Sequence, residues 1–211
     1  MNPLARYTHW LHTRWPAGGV EKLPFVKKDG TTNIPGVYVV GDLRGVPLLK
    51  FAADSGARAV QHILADESFP RTDPTPAQDQ KILDLVIIGA GISGMSAALE
   101  AKYAGLSFEI IESSEPFSTI VNFPKGKPIY TYPNEMVPEG DLQVTAGVKE
   151  PLLDELEDQT LARGIRPTAA RAKQIRRKNE ILEIDLGQGN ASLCAHRVIV
   201  ALGRSGDFRK L

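Results

Sequence analysis

LDLVIIGAGISGMSAALEAKYAGLSFEIIES, residues 83–113, decides how this chain is read. Ile82 to Ile88 is mostly apolar and β-branched, the composition of a strand buried on both faces. Gly89, Gly91 and Gly94 then give G-x-G-x-x-G. In such a turn the first glycine permits the tight bend, the second lets backbone approach a pyrophosphate, and the third lets helix pack on strand. A helix from Ile92 to about Ala104 would aim its N-terminal N–H groups at that pyrophosphate, and Gly105 would stop it. Phe108 to Ile111 reads as a second strand ending at Glu112. An acid about 20 residues beyond the glycines can accept hydrogen bonds from an adenosine ribose, which favours FAD or NAD over NADP here. The plainer alternative is a glycine-rich turn in an ordinary α/β unit.

The rest of the composition narrows the class. The chain has 211 residues, with 25 Lys and Arg against 25 Asp and Glu, so no net charge draws it to nucleic acid or to an acidic membrane surface. No apolar run approaches the roughly 18 residues of a membrane span. The first residues, MNPLARYTHWLHTRWPAGG, lack the apolar core of a signal peptide, so a reducing cytoplasm is expected. Cys194 is the only cysteine, which excludes an intrachain disulfide, a C-x-x-C redox pair and a cysteine zinc cluster. Its apolar neighbours mark it as a buried small hydrophobe rather than a redox thiol. His9 and His12 share a helix spacing, but no nearby carboxylate or cysteine completes a metal site, and Tyr7, Trp10 and Trp15 read as packing groups.

Residues 31–65, TTNIPGVYVVGDLRGVPLLKFAADSGARAVQHILA, repeat the theme of strand, glycine and helix. Pro35-Gly36 is a turn signal, Val37 to Val40 a short strand, and Gly41-Asp42 its end. A helix is expected over about 47–64, with Leu48, Leu49, Ala52, Ala59, Val60 and Ile63 apolar. A carboxylate there can meet a polar ligand, or Asp42 can merely cap the turn. Residues 66–80, DESFPRTDPTPAQDQ, read as a proline-rich linker with little to bury. Further on, Glu150 to Arg163 reads as a helix, with Pro151 in its first turn and Gly164 after it. Short strands come next, around Ala172 to Arg177, over Ile181 to Leu186, and over Val198 to Ala201.

IPGVYVVGDL…KFAADSG resembles the late motif of the thioredoxin reductase-like, two-dinucleotide-domain flavoproteins of the pyridine nucleotide–disulfide oxidoreductase superfamily, and residues 82–113 resemble their opening FAD fingerprint. The resemblance implies a Rossmann-like α/β FAD-binding domain with a parallel sheet, flanking helices and a small antiparallel β-meander. It implies FAD contacts at Gly89, Gly91, Ser93, Gly94, Glu112 and Ser113 from the fingerprint. From the late motif it implies Gly41, Asp42 and Leu43, with Asp42 at the flavin's ribityl–phosphate portion, and Lys50 where these reductases usually carry glutamine. Asn122-Phe123-Pro124 resembles an Asn-aromatic-Pro step beside the flavin ring, the alternative being a proline-bounded surface loop. Ala172 falls where family backbone meets adenine, and Ala201-Leu202-Gly203 resembles the Ala-Thr-Gly step, adding Ala201 and Gly203.

The order of these pieces departs from the family. The late Gly-Asp segment comes first, residues 81–211 carry the fingerprint domain, and no second glycine fingerprint comes after Gly203. The chain therefore reads either as a permuted single-domain flavoprotein or as the N-terminal part of a longer enzyme. Fifteen linker residues at about 3.1 Å each span about 45 Å, more than a body of about 17 Å radius of gyration requires, so residues 1–65 can return to the fingerprint. The expected function is a flavoprotein oxidoreductase passing electrons from NAD(P)H through FAD to an acceptor. The alternatives are a non-catalytic flavin-binding module and an NAD-binding Rossmann protein without flavin. Expected partners are NAD(P)H, through a further domain or partner chain, and, as an alternative to a monomer, a second copy of the chain. No catalytic residue and no metal ligand is read from the sequence.

Overall fold

The computed structural model describes residues 24–70, 82–187 and 192–203. Tyr7, His9, Trp10, His12 and Trp15, and most of the linker, lie outside them. The elements are β1 (Val37–Val39), a 3-10 turn (Gly41–Arg44), α1 (Leu49–Ala65), β2 (Ile82–Ile88), α2 (Ile92–Tyr103), β3 (Phe108–Glu112) and α3 (Ser118–Val121). Then come α4 (Lys149–Gln159), β4 (Thr168–Ala169), β5 (Gln174–Lys178), β6 (Ile181–Asp185) and β7 (Ser192–Val200).

They form one seven-stranded sheet in the order β4-β3-β2-β7-β6-β5, with β1 also paired to β7. The β1, β2, β3, β4 and β7 strands are parallel neighbours, while β5 and β6 form an antiparallel hairpin continuing onto β7. This is the expected Rossmann-like α/β sheet with a small antiparallel β-meander. The β7 strand serves both parts. Its first half pairs with β6, Leu182 opposite Ala195, and its second half pairs with β1, Val37 opposite Val198.

The β2 strand is apolar on both faces because both are covered. Leu85 and Ile87 face the helices, and Val86 and Ile88 face the cluster built on Leu182, Ile184 and Val198. Full burial of each such side chain contributes about 1.5–3 kcal/mol. The α2 helix is buried nearly all round, since α1 lies against its outer side. Small residues make that approach possible: a Cβ on Gly56 would lie 2.1 Å from the Ser93 carbonyl oxygen. Ser96 hydroxyl donates to the Ala53 carbonyl across the same contact, at 2.7 Å.

Several boundaries differ from the sequence reading. The α4 helix ends at Gln159 rather than Arg163, because the buried Thr160 hydroxyl bonds back to the Leu156 carbonyl and the chain tightens into a turn. The β7 strand starts at Ser192, not Val198, since its half-buried first part has no continuous apolar run. Ala172 precedes β5 instead of starting it, because Thr168–Ala169 first pairs beside β3 and the chain must then turn. Phe69, read as linker, is buried, with the Arg197 guanidinium 5.2 Å from its ring centroid.

Candidate functional site

In a parallel sheet all strands end at one edge, and ligands bind outside that edge. Gly41 comes after β1, Gly89 after β2, and Ala201 after β7, while Glu112 ends β3. Ala170, after β4, donates its N–H to the Glu112 carbonyl at 2.9 Å, and Ala172 follows it, partly buried against the cluster built on Leu182 and Ile184.

The glycine turn shows three distinct demands. Gly89 has φ +103°, and a Cβ there would meet the Ala201 carbonyl oxygen at 2.6 Å. At Gly94 a Cβ would lie 1.9 Å from the Gly89 carbonyl oxygen. At Gly91 a Cβ would meet nothing within 4 Å. Two of the glycines are therefore required by the protein's own packing, while Gly91 faces open space. The α2 helix starts there with no side-chain cap and no acid in its first turn, so its leading N–H groups are left for a ligand. This open cradle at an uncapped helix end fits the pyrophosphate of a dinucleotide.

Glu112 is fixed beside the turn. One carboxylate oxygen accepts the Ala90 N–H at 2.8 Å, and the other accepts the Ser114 N–H at 2.9 Å with the Ser113 and Ser114 hydroxyls near it. Phe117, buried and in the left-handed region at φ 55°, donates its N–H to the Ala90 carbonyl at 3.0 Å. That bond ties the residue before α3 to the glycine turn. The Asn122 side-chain amide donates to the Ser118 carbonyl at 2.8 Å. Lys149 closes the loop from below, its ammonium donating to the carbonyls of Val121 and Phe123 at 2.6 Å each.

The segment 31–65 reaches the same place from the other side of β7. A Cβ on Gly41, at φ +72°, would lie 2.6 Å from Ser93 Oγ, so the Gly-Asp turn rests on the first turn of α2. Ser93 is thereby buried between Gly41 and Gly56. Asp42 and Leu43 lie half-buried in the 3-10 turn. The Gly41 N–H donates to Ser55 Oγ at 2.9 Å, a contact with no sequence signal beyond a serine preceding Gly56. Beside Gly41 a cavity of about 300 Å3 is walled by Arg44, Phe51, Asp54 and Arg58. Lys50 is drawn elsewhere: its ammonium donates to the Pro133 and Asn134 carbonyls at 2.9 and 3.2 Å. Gly203 lies exposed at the end of the described chain.

Cys194 is buried on β7, and burial, then the nearby Glu183 charge, pushes its thiol up, away from the thiolate that redox chemistry needs. Among the described residues no group of His, Cys, Asp and Glu could hold a metal, and no helix is long and apolar enough to cross a membrane.

Comparison with known proteins agrees with this geometry. The FAD binding domain family matches residues 84–140, the span from β2 through α3 and the loop beyond. Among curated proteins none matched by sequence. Among solved structures, bacillithiol disulfide reductase from Staphylococcus aureus is 20% identical, with a TM-score of 0.50 over 59% of this chain and 39% of that one. The Bacillus cereus bacillithiol disulfide reductase is 17% identical, with a TM-score of 0.47 over 57% of this chain and 39% of that one. Thioredoxin reductase from Streptococcus pyogenes is 24% identical, with a TM-score of 0.43 over 58% of this chain and 35% of that one. The chain thus spans under two fifths of the length of these structures. The family match over residues 84–140 and the fold shared with the Staphylococcus aureus structure identify a Rossmann-like α/β fold with FAD as its cofactor.

Proposed function

We propose that the chain is the FAD-binding portion of an oxidoreductase that carries electrons from NAD(P)H to an acceptor, and that residues 31–65 and 82–203 build one cofactor site in permuted order. The carrying observation is the convergence of the Gly41 turn, the Gly89 turn, Glu112 and Ala201 at one sheet edge. FAD supplies the hydride and electron chemistry when bound, and the protein supplies position and electrostatics.

The roles proposed here follow the family resemblance, and the placement of the Gly41 and Gly89 turns, Glu112 and Ala201 supports them. Gly91 and the leading N–H groups of α2 receive the pyrophosphate. Glu112, held by Ala90 and Ser114, presents its remaining acceptor capacity to the adenosine ribose, with Ser113 beside it. Ala172 lines the adenine end, and Ala201 and Gly203 pass their backbone close to the dinucleotide. Asp42 and Leu43 meet the ribityl portion, and Asn122 lies at the flavin ring. Ser93 acts by packing, since its hydroxyl is pressed against Gly41.

The test is the visible spectrum of the purified protein, with mass identification of the released cofactor. Oxidised flavin absorbance at about 450 nm, a property of the cofactor itself, is expected. Colourless protein that also fails to take up added FAD would sink the reading.

A further inference from the structure

Lys50 sits in the first turn of α1 and is 8% exposed, an unusual place for a lysine. A buried ammonium ordinarily requires a counter-charge. No carboxylate among the described residues pairs with Lys50; its partners are two neutral carbonyls, of Pro133 and Asn134. An ammonium has three N–H donors, so one is left over.

Lys50 also forms part of the wall of a cavity of about 350 Å3, between the start of α1 and the loop over residues 131–145. The wall holds Thr131, Asn134, Met136, Gln143 and Thr145, and no acid. Two of its polar groups are already used: the Thr145 hydroxyl donates to Glu155, and the Gln143 amide donates to the Gly140 carbonyl. The side chains of Thr131 and Asn134 make no hydrogen bond within the described protein. The adjoining end of α1 has neither a side-chain cap nor an acid in its first turn, which adds positive potential of the same sign.

A buried cation without a counter-ion, two unused side-chain donors and a positive helix end thus surround one cavity. We propose that this cavity binds a small oxyanion, a carboxylate or a phosphate, with Lys50 as its counter-ion and Thr131 and Asn134 as hydrogen-bond donors. The inference stands on Lys50 and the cavity, apart from the cofactor reading. Where FAD is also bound as proposed above, the cavity lies at the start of the helix that leads away from the Gly41 turn and would admit an anionic electron acceptor.

The purified chain is titrated calorimetrically at low salt with inorganic phosphate, with succinate, and with neutral succinamide, both with and without added FAD. Saturable binding of phosphate or succinate, with none of succinamide, is expected; which anion binds identifies the class. Lys50→Met, which keeps the aliphatic stem, should weaken binding by about tenfold or more, the worth of one charge-assisted bond. If Lys50→Met fails to fold by circular dichroism, Asn134→Ala decides. It keeps the backbone carbonyl that Lys50 uses and should weaken binding severalfold. Absence of binding by either anion, or equal binding by the folded variants and the parent, overturns the inference. Anion binding by protein that is colourless and fails to take up added FAD would uphold it while overturning the FAD reading.

Discussion

Two strand–turn–helix units end at the same sheet edge, β1 with α1 and β2 with α2. Each leaves its strand through a left-handed glycine, Gly41 at φ +72° and Gly89 at φ +103°. Each helix begins without a side-chain cap or a first-turn acid. The units differ in the path from glycine to helix. The β2 unit enters its helix at once, and Gly91 leaves open space there. The β1 unit inserts a 3-10 turn and residues 45–48, and Lys50 in its first helical turn reaches across to the Pro133 and Asn134 carbonyls. The β2 unit leaves open space at its turn, while the β1 unit packs its turn against the start of α2. Their separation in the sequence does not matter to the site, because parallel pairing through β7 brings their ends to one edge.

The largest effect should come from breaking the contact between the two units. Gly56→Val would force a side chain from α1 into the Ser93 carbonyl of α2, 2.1 Å from the first added atom; within the β2 unit itself, Gly94→Val would meet the Gly89 carbonyl at 1.9 Å. Backbone cannot yield as a flexible side chain does, so each should cost about 3 kcal/mol or more. Denaturant unfolding checks this; an unchanged midpoint for Gly56→Val would show that α1 and α2 are not packed this way, and for Gly94→Val that α2 does not press on the β2 turn.

Gly91→Val separates the fold from the site. The added side chain enters open space at an ordinary backbone conformation, φ −76° and ψ −172°, so stability should change by less than about 0.5 kcal/mol. FAD binding should nonetheless fall by about a hundredfold or more, because the side chain fills the space where the pyrophosphate must approach. Flavin titration of the apoprotein measures it. Unchanged affinity would mean that the cofactor avoids this turn.

The Gly41 unit can be loosened more gently. Ser55→Ala removes the acceptor for the buried Gly41 N–H and leaves that donor unpaired, at a cost of about 1–2 kcal/mol. The Gly-Asp turn should then lose hydrogen-exchange protection before the β2 unit does. Equal loss in both units would show that they unfold as one body.

How far these units could be read from sequence depends on the distance over which their residues act. The fingerprint was legible because strand, glycines, helix and acid lie within residues 82–112 and each responds to its neighbours. The β1 strand was legible as a strand, and its pairing with Val198 to Val200 is a tertiary fact outside local pattern. The partners of Lys50 lie 83 and 84 residues away, and nothing near Lys50 marks it for burial. Phe117 gives no warning of its left-handed backbone, since that conformation is set by its bond to Ala90. Phe69 sits among prolines and charges that read as solvated, yet it joins the main hydrophobic core with the Arg197 guanidinium over its ring, partners that local pattern cannot show.

The smallest effect concerns how the end of α1 is tied to β7, far from the glycine turns. Asp66 accepts the Ser68 hydroxyl at 2.6 Å, the Ser68 N–H at 2.9 Å and the Arg197 guanidinium at 2.8 Å. These bonds, the Ser68 hydroxyl first and Arg197 next, lower its carboxyl from 3.8 to about 2. A carboxyl that is more acidic in the folded state stabilises the fold above its unfolded value and loses that contribution as protonation proceeds. Asp66 should therefore contribute fully above about pH 4 and progressively less as pH falls toward 2. Its side chain is 32% exposed, so solvent screening holds the contribution to about 1 kcal/mol or less. Asp66→Asn should flatten the acid limb of the stability curve between pH 4 and 2 while leaving FAD affinity unchanged. An acid limb identical to that of the parent protein would mean that Arg197 and Ser68 do not hold the carboxylate in solution. A loss of FAD affinity instead would mean that the far end of α1 is coupled to the site, and that the β1 unit acts as a rigid lever rather than as an edge that simply meets the glycine turn.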